Sequence, residues 1–298
     1  MERKKEKVLT KAQTMAKQKK LHFMLRTAIR TLFFLLMPGA FAACLNGIKQ
    51  IFRSIAAGAV IQPDGFIAVL LFFTVFTMVF GRLFCGYFCA FGSLGDFVYW
   101  LSGIVQKRVF KRKKQLTISD RYAVLLSKLK LLNLAFIIIA CAFSFDSALT
   151  GTSPFDVFSM ITSFNFKLGG YTAGIIAFVT VLLLMAFCER GFCRFLCPIG
   201  AFFTLLPVFP FGILKRDSAN CIKGCDICKR NCPVNIKLEN DSVMNGECIC
   251  CERCMFGCPK SNICHSEKRL LDSKIIPLLL KTAVFFIAAA LLGLCRLF

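Results

Sequence analysis

The run Cys248-Ile-Cys250-Cys251-Glu-Arg-Cys254-Met-Phe-Gly-Cys258-Pro259 holds five cysteines within twelve residues. Four of them follow the spacing C-x2-C-x2-C-x3-C-P, with Cys250 as the extra member. Three closely spaced thiolates can wrap one face of a [4Fe–4S] cluster, and the cysteine before proline then reaches a neighbouring cluster. The run therefore predicts a compact module built around iron and sulfur.

A second run, Cys221-Ile-Lys-Gly224-Cys225-Asp-Ile-Cys228-Lys-Arg-Asn-Cys232-Pro233, lies just upstream and is one residue longer in its first gap. Gly224 stands in that gap, where a turn can absorb the extra residue. Because the fourth cysteine of each run serves the other cluster, the two runs predict two ligand sets. The first set is Cys221, Cys225, Cys228 and Cys258, and the second is Cys248, Cys251, Cys254 and Cys232.

Zinc is the alternative for paired C-x2-C motifs. A zinc site would need neither two four-cysteine runs nor a proline after the last cysteine of each. The ligand assignment stays open at Cys221, because of the longer gap, and at Cys250, which we expect to be a free thiol.

The rest of the 298-residue chain is apolar: 57% of its residues are hydrophobic and 18% are charged, against about 25% in a typical soluble domain. This composition excludes a disordered chain and favours a polytopic membrane protein. Five stretches have enough apolar residues to span a bilayer: 25–45, 66–91, 122–145, 171–187 and 275–298. A sixth stretch, 195–211, is interrupted by Pro198, Gly200, Pro207 and Pro210 and is expected to be re-entrant or interfacial.

The net charge of +22 is concentrated in two segments. Residues 1–30 hold ten basic and two acidic residues, and residues 107–130 hold nine basic and one acidic residue, so each segment carries +8. The loops 46–65 and 146–170 carry only +1 and −1. The positive-inside rule places the N-terminus, the 107–121 loop and the cysteine module in the cytoplasm. Basic segments that flank apolar stretches and alternate with nearly neutral loops favour binding to anionic lipid over binding to nucleic acid.

A longer motif is repeated in the apolar part of the chain. Arg82-Leu-Phe-Cys85-Gly-Tyr-Phe-Cys89-Ala-Phe-Gly92 recurs 108 residues later as Arg190-Gly-Phe-Cys193-Arg-Phe-Leu-Cys197-Pro-Ile-Gly200. The repetition predicts two helical hairpins related by a pseudo-twofold axis. Cysteines four apart on a helix share a face, so we expect Cys85, Cys89, Cys193 and Cys197 to form a redox or metal site near the cytoplasmic surface. Its occupant stays open between iron–sulfur, another soft metal such as Cu(I), and a dithiol/disulfide couple.

Two cofactor classes find no ligands in the sequence. The two histidines, His22 and His265, lie outside the apolar stretches, so a membrane haem is not expected. A nucleotide site is not expected either, because the chain has no Walker loop and no GxGxxG strand-turn-helix.

Repeated C-x3-C pairs at the ends of apolar helices, followed by a two-cluster cysteine module, resemble the NapH/NosR/CcoG-type membrane polyferredoxins. The resemblance covers about residues 25–265, and Ala90 stands where the family often has proline. It implies a membrane iron–sulfur protein that passes electrons between a quinol or cytoplasmic donor and a membrane or extracytoplasmic partner protein. The alternative is a copper reductase or metalloenzyme assembly factor that uses the C-x3-C pairs. A redox-sensing regulator is a third reading.

The expected fold is mainly α: a polytopic helical membrane protein with a small α+β 2[4Fe–4S] ferredoxin-like domain. Its expected location is the inner (cytoplasmic) membrane, with lipid and a redox protein as partners and a quinone as a further candidate. The predicted segments are a basic N-terminus (1–24), hairpin one (25–106), a basic loop (107–121), hairpin two (122–214), the ferredoxin-type domain (215–268) and a C-terminal span (275–298).

Overall fold

A computed structural model describes residues 2–60, 64–109, 126–143, 151–162, 164–165, 169–209, 214–217, 219–236, 247–265 and 275–293. Helices dominate these residues, as the sequence predicts, and two short strands accompany them. Most of the predicted basic loop 107–121 and the ends of several predicted apolar stretches lie outside the described residues.

The first apolar stretch is divided between two helices. Helix α1 runs over Glu2–Leu36 and α2 over Ala40–Ala56, and the two meet at 61°. The apolar stretch 25–45, expected from its length to span a bilayer, is therefore bent within its length. Pro38 stands in the break, where its ring and missing N–H prevent α1 from continuing.

The second apolar stretch is also broken. Helix α3 covers Gly65–Phe80, a single π-helical turn covers Phe84–Phe88, and α4 covers Ala90–Arg108. Gly81 ends α3 at φ 71°, a backbone conformation that glycine adopts without strain. The expectation that Cys85 and Cys89 share one face of a regular helix is therefore wrong, because Cys85 lies in the π turn and Cys89 caps α4.

The second half repeats this arrangement. Helices α5 (Leu129–Ala142) and α6 (Pro154–Thr162) precede α7 (Thr172–Phe187), α8 (Gly191–Phe195) and α9 (Pro198–Leu205). At the 108-residue offset, α7 corresponds to α3, α8 to the π turn and α9 to the start of α4. In the interrupted stretch 195–211, α9 is a short helix that begins at Pro198, where proline suits the first turn.

The cysteine module is held together by a small sheet. Strand β1 (Leu214–Arg216) pairs antiparallel with β2 (Ile263–His265), with Leu214 opposite His265. Between them lie two short helices, α10 (Ile227–Arg230) and α11 (Arg253–Gly257), which pack against each other. The last described helix is α12 (Ile276–Leu291).

Phenylalanines fill the core where α12 meets the repeated helices. The ring of Phe285 on α12 is fully buried and stacks on Phe88 of the π turn, with the ring centroids 4.2 Å apart. Phe33, Phe73 and Phe76 surround the same ring. These contacts fix the π turn, and with it the first C-x3-C pair, against the C-terminal helix.

The apolar helices differ in whether they are long enough to cross a bilayer. Among the described residues, no single helix combines the length and apolarity needed to cross a bilayer, although the bent pair of residues 13–36 and Ala40–Ala56 meets the test together. Four shorter apolar helices, α3, α5, α7 and α12, have between 10 and 17 residues each.

Candidate functional site

The cysteine module contains two small cavities, and the first lies between β2, α10 and the turn after α11. Its lining includes four thiols, those of Cys221, Cys225, Cys228 and Cys258. Gly224 adopts φ 73°, so the longer gap of the first run is absorbed by a left-handed turn at that glycine. The structure thus brings together the four cysteines predicted as the first ligand set.

The second cavity is lined by the other four cysteines, Cys232, Cys248, Cys251 and Cys254. Cys232 belongs to the first run and Cys258 to the second, so each run contributes its last cysteine to the other cavity. Close packing of α10 on α11, where Gly257 lies directly against Asn231, makes this exchange feasible. Cys250 lines neither cavity, although it lies within electrostatic range of the Cys248 thiol.

Each cavity presents four cysteine thiols, which is the ligand set of a [4Fe–4S] cluster. In the part of the chain that the structure describes, no group of three His, Cys, Asp or Glu side chains has the geometry of a site for one metal ion. Burial raises the pKa of Cys232 to about 11 and also raises that of Cys254. A bound metal centre would supply the positive charge that stabilises thiolates at these positions.

The repeated motif forms a second thiol group, which we call the four-thiol cluster: Cys85, Cys89, Cys193 and Cys197. All six pairs among these thiols lie within range of mutual electrostatic interaction, and all four side chains are buried. The sequence-based expectation that the two copies meet is therefore matched by their placement.

Each copy presents its second cysteine in the same local geometry. Cys89 caps α4 with φ −69° and ψ 112°, and Cys197 caps α9 with φ −68° and ψ 112°. Their sulfur atoms accept hydrogen bonds from the backbone N–H of Gly92 and Gly200, at 3.3 and 3.1 Å. A helix N-terminus stabilises negative charge, so these hydrogen bonds partly offset the cost of burying a thiolate at either position.

The arginine of each copy of the motif contacts the glycine of the other copy. Arg190 Nη1 occupies the space that a Cβ at Gly92 would need, so the guanidinium would have to shift to admit one, and Arg82 Nη2 would lie 3.0 Å from a Cβ at Gly200. Arg190 also donates to the carbonyl oxygen of Cys85 at 2.6 Å and to Asp96 Oδ1 at 2.7 Å. Each arginine therefore fastens its own copy of the motif to the other copy.

The cysteine module rests directly on the π turn. Gly86 faces the backbone of the loop 249–251, and the Tyr87 hydroxyl lies 3.4 Å from the carbonyl oxygen of Cys251. Arg82 is within electrostatic range of Cys248. The second cavity and the four-thiol cluster are therefore neighbours, which the sequence alone did not indicate.

Ion pairs made by buried lysines connect the module to the helices, and sequence reasoning missed most of them. Lys130 on α5, 1% exposed, donates to Glu247 at 2.5 Å. Lys281 on α12 lies 3.9 Å from Glu252. Both lysines interrupt apolar helices, and that interruption was the available signal, since a charge in an apolar helix usually has a partner.

His22 is a further residue whose role the sequence did not reveal. Its ring is 3% exposed, lies 2.9 Å from the Tyr87 hydroxyl and stacks on Phe256 at 4.1 Å. Burial lowers the pKa of His22 to about 4, so the ring is neutral at pH 7. The N-terminal helix is thereby tied to both the π turn and α11.

Comparison with known families bears on the repeated motif. A family model described as a 4Fe-4S binding domain matches residues 63–115 and 172–215. Each matched segment contains one C-x3-C pair, and the cysteine runs at 221–233 and 248–259 lie outside both segments.

An uncharacterised protein of Methanocaldococcus jannaschii is 31% identical over 82% of this chain and 95% of its own length. YccM of Escherichia coli, named as an electron transport protein, is 27% identical over 76% of this chain and 63% of its own. The regulatory protein NosR of Stutzerimonas stutzeri is 24% identical over 67% of this chain and 27% of its own length.

The chain belongs to the NosR/NapH-type polyferredoxins. As a polyferredoxin it is an iron–sulfur protein of electron transport, which confirms the family resemblance found in the sequence. No solved structure matches it.

Proposed function

We propose that this polyferredoxin is a membrane-bound electron carrier with two [4Fe–4S] clusters in its cysteine module and a third iron–sulfur centre at the four-thiol cluster. The observation that carries the proposal is the contact of Gly86 with the loop 249–251, which brings the second cavity and the four-thiol cluster together. Three cysteine sites in one continuous assembly suit one-electron transfer, which is the chemistry that bound iron–sulfur clusters supply.

The chain's own residues hold and insulate these centres. The eight cysteines of the two cavities provide the thiolates of the module, and the pairs Lys130–Glu247 and Lys281–Glu252 keep it docked. Around the four-thiol cluster, Arg82 and the N-termini of α4 and α9 supply positive charge, while buried phenylalanines exclude water.

Iron–sulfur at the four-thiol cluster is favoured over a copper ion. The matched 4Fe-4S model covers both C-x3-C pairs. Copper reduction at the four-thiol cluster stays the alternative.

Iron and acid-labile sulfide per chain, measured with EPR after anaerobic purification, test this arrangement. The cysteine module alone accounts for about eight iron atoms, and a third cluster raises the content to about twelve. Changing Cys85, Cys89, Cys193 and Cys197 to serine should remove about four irons, whereas Cys141→Ser, a buried thiol outside the sites, should remove none. Iron content unchanged in the quadruple variant, with undiminished electron transfer, would exclude a redox role for the four thiols.

Membrane attachment has its own support and its own test. The two +8 segments flank apolar stretches, and we propose that the N-terminus and the cysteine module face the cytoplasm of an inner membrane. The chain should remain in the membrane pellet after an alkaline carbonate wash, and a protease added to spheroplasts should spare the module. Release into the wash would contradict an integral protein.

We propose a quinol or a cytoplasmic protein as the electron donor and a membrane or extracytoplasmic protein as the electron acceptor.

A further inference from the structure

A cavity of about 450 Å³ lies where α1, α4 and the cysteine module meet. It belongs to neither of the two cysteine cavities. Aromatic rings form part of its wall, among them Phe23, Tyr99, Trp100 and Phe256. Phe23 and Trp100 are 67% and 60% exposed, so an amphipathic molecule could rest its apolar part on them.

The charges around this cavity are strongly unbalanced. Five cations line it, namely Lys19, Arg26, Arg30, Lys107 and Arg253, against the two carboxylates of Asp96 and Glu189. Asp96 is already bound by Arg190 from behind the cavity wall, and Glu189 is paired with Arg253. The lining therefore keeps a net charge of +3, which attracts an anion.

Arg26 has hydrogen-bonding capacity that the described residues do not use. Its side chain is buried, 6% exposed, and its Nε has no hydrogen-bond partner among them. Its Nη2 reaches the Gly86 carbonyl oxygen and Asp96 Oδ2 only at 3.5 Å, the outer limit of a hydrogen bond. A buried guanidinium with unused donors is costly, and the oxygens of an anionic ligand would satisfy it.

We propose that this cavity binds a phosphate-bearing ligand, with the phosphate on Arg26 and Lys19. A planar, forked guanidinium matches phosphate oxygens, and basic cavities between helices suit phospholipid head groups. A neutral quinone would need one or two donors and would leave the excess of cations uncompensated. The phosphate can come from an anionic phospholipid or from a soluble phosphate compound, and the two sources are separable by experiment.

Trp100 is the only tryptophan of the chain and lines the cavity, so its fluorescence reports binding without reference to electron transfer. The full, cluster-loaded chain in neutral detergent is titrated with inorganic phosphate, with chloride at equal ionic strength as the control. In a second arm it is reconstituted into vesicles of phosphatidylcholine with or without phosphatidylglycerol. A saturable change in both arms identifies a general phosphate site, and a change with phosphatidylglycerol alone identifies a lipid head-group site.

Three substitutions test the residues. Arg26→Gln should weaken binding about tenfold or more, the effect of losing a charged hydrogen bond. Lys19→Gln should weaken it a few-fold, which keeps the test valid if the buried variant misfolds. Lys17→Gln is the matched control, because Lys17 is an exposed lysine on the same helix outside the cavity.

Three results would overturn the proposal. The first is the absence of a saturable Trp100 response in both arms, with inorganic phosphate and with phosphatidylglycerol alike. The second is equal weakening by Lys17→Gln and Lys19→Gln, which would mean nonspecific surface attraction. The third is a response to a neutral water-soluble quinone that phosphate does not compete away, which would assign the cavity to a carbonyl ligand.

Discussion

Gly86 faces the carbonyl oxygen of Ile249 so closely that a Cβ at position 86 would overlap that oxygen. Gly86 lies between Cys85 and Cys89 in the π turn, and Ile249 follows Cys248 in the cysteine module. One backbone contact therefore joins the four-thiol cluster to the second cavity.

Gly86→Ala should destabilise the protein by about 1–3 kcal/mol, the usual cost of overpacking, because backbone rather than a flexible side chain opposes the new methyl group. It should also make the module more susceptible to limited proteolysis. Thermal unfolding and proteolysis of the variant measure both effects. Gly169→Ala is the control, since a Cβ there meets open space; equal behaviour of the two variants would show that the contact does not hold the module.

The exchange of cysteines between the two cavities predicts a specific pattern of iron loss. Cys225 and Cys258 line the same cavity, whereas Cys225 and Cys232 line different ones. The double variant Cys225→Ser/Cys258→Ser should therefore lose about four irons, and Cys225→Ser/Cys232→Ser about eight.

Cys250→Ser should retain all the iron, because Cys250 lines neither cavity. Iron content measured on anaerobically purified protein distinguishes these outcomes. Identical losses in the two double variants would contradict the ligand sets.

Asp96→Asn should destabilise the protein by about 3–5 kcal/mol, because it leaves buried arginine charges uncompensated. Asp96 binds Arg190 Nε at 2.7 Å and is also bonded by Arg30. The exposed i,i+4 pair Asp226–Arg230 provides the comparison, and Asp226→Asn should cost about 0.5 kcal/mol or less. Denaturant unfolding measures both, and similar costs for the two changes would contradict a central role for Asp96.

Because His22 is buried in its neutral form, we expect the folded protein to lose stability in acid. Its pKa is lowered by burial from 6.5 to about 4, so the unfolded chain takes up a proton below pH 6.5 that the folded chain refuses until about pH 4. Stability is therefore lost as the pH falls through this window, by about 2 kcal/mol between pH 7 and pH 5. Glu252 opposes this shift electrostatically, and Arg26, Arg30 and Arg253 reinforce it.

Unfolding midpoints of the wild type and His22→Asn at pH 7 and pH 5 test this expectation. The variant should lose less stability than the wild type on acidification. Parallel losses in the two proteins would assign the acid sensitivity to other groups.

The sequence by itself determined the features that depend on local spacing. The two cysteine runs specify which residues can wrap a cluster, because ligand spacing along a short segment limits where the thiolates can go. The 108-residue repeat likewise indicated that Cys85, Cys89, Cys193 and Cys197 come together, because equivalent segments pack in equivalent ways. Apolar composition indicated where the helices lie, although Pro38 and Gly81 divide two of the apolar stretches.

Only the tertiary structure decided how these parts meet. The contact of Gly86 with Ile249, the ion pairs of Lys130 and Lys281, and the burial of His22 join residues far apart in the chain. No local pattern encodes such pairings. A lysine in an apolar helix signals that a partner exists, but the partner's identity depends on which surfaces become buried together. The placement of the second cavity beside the four-thiol cluster follows from that packing.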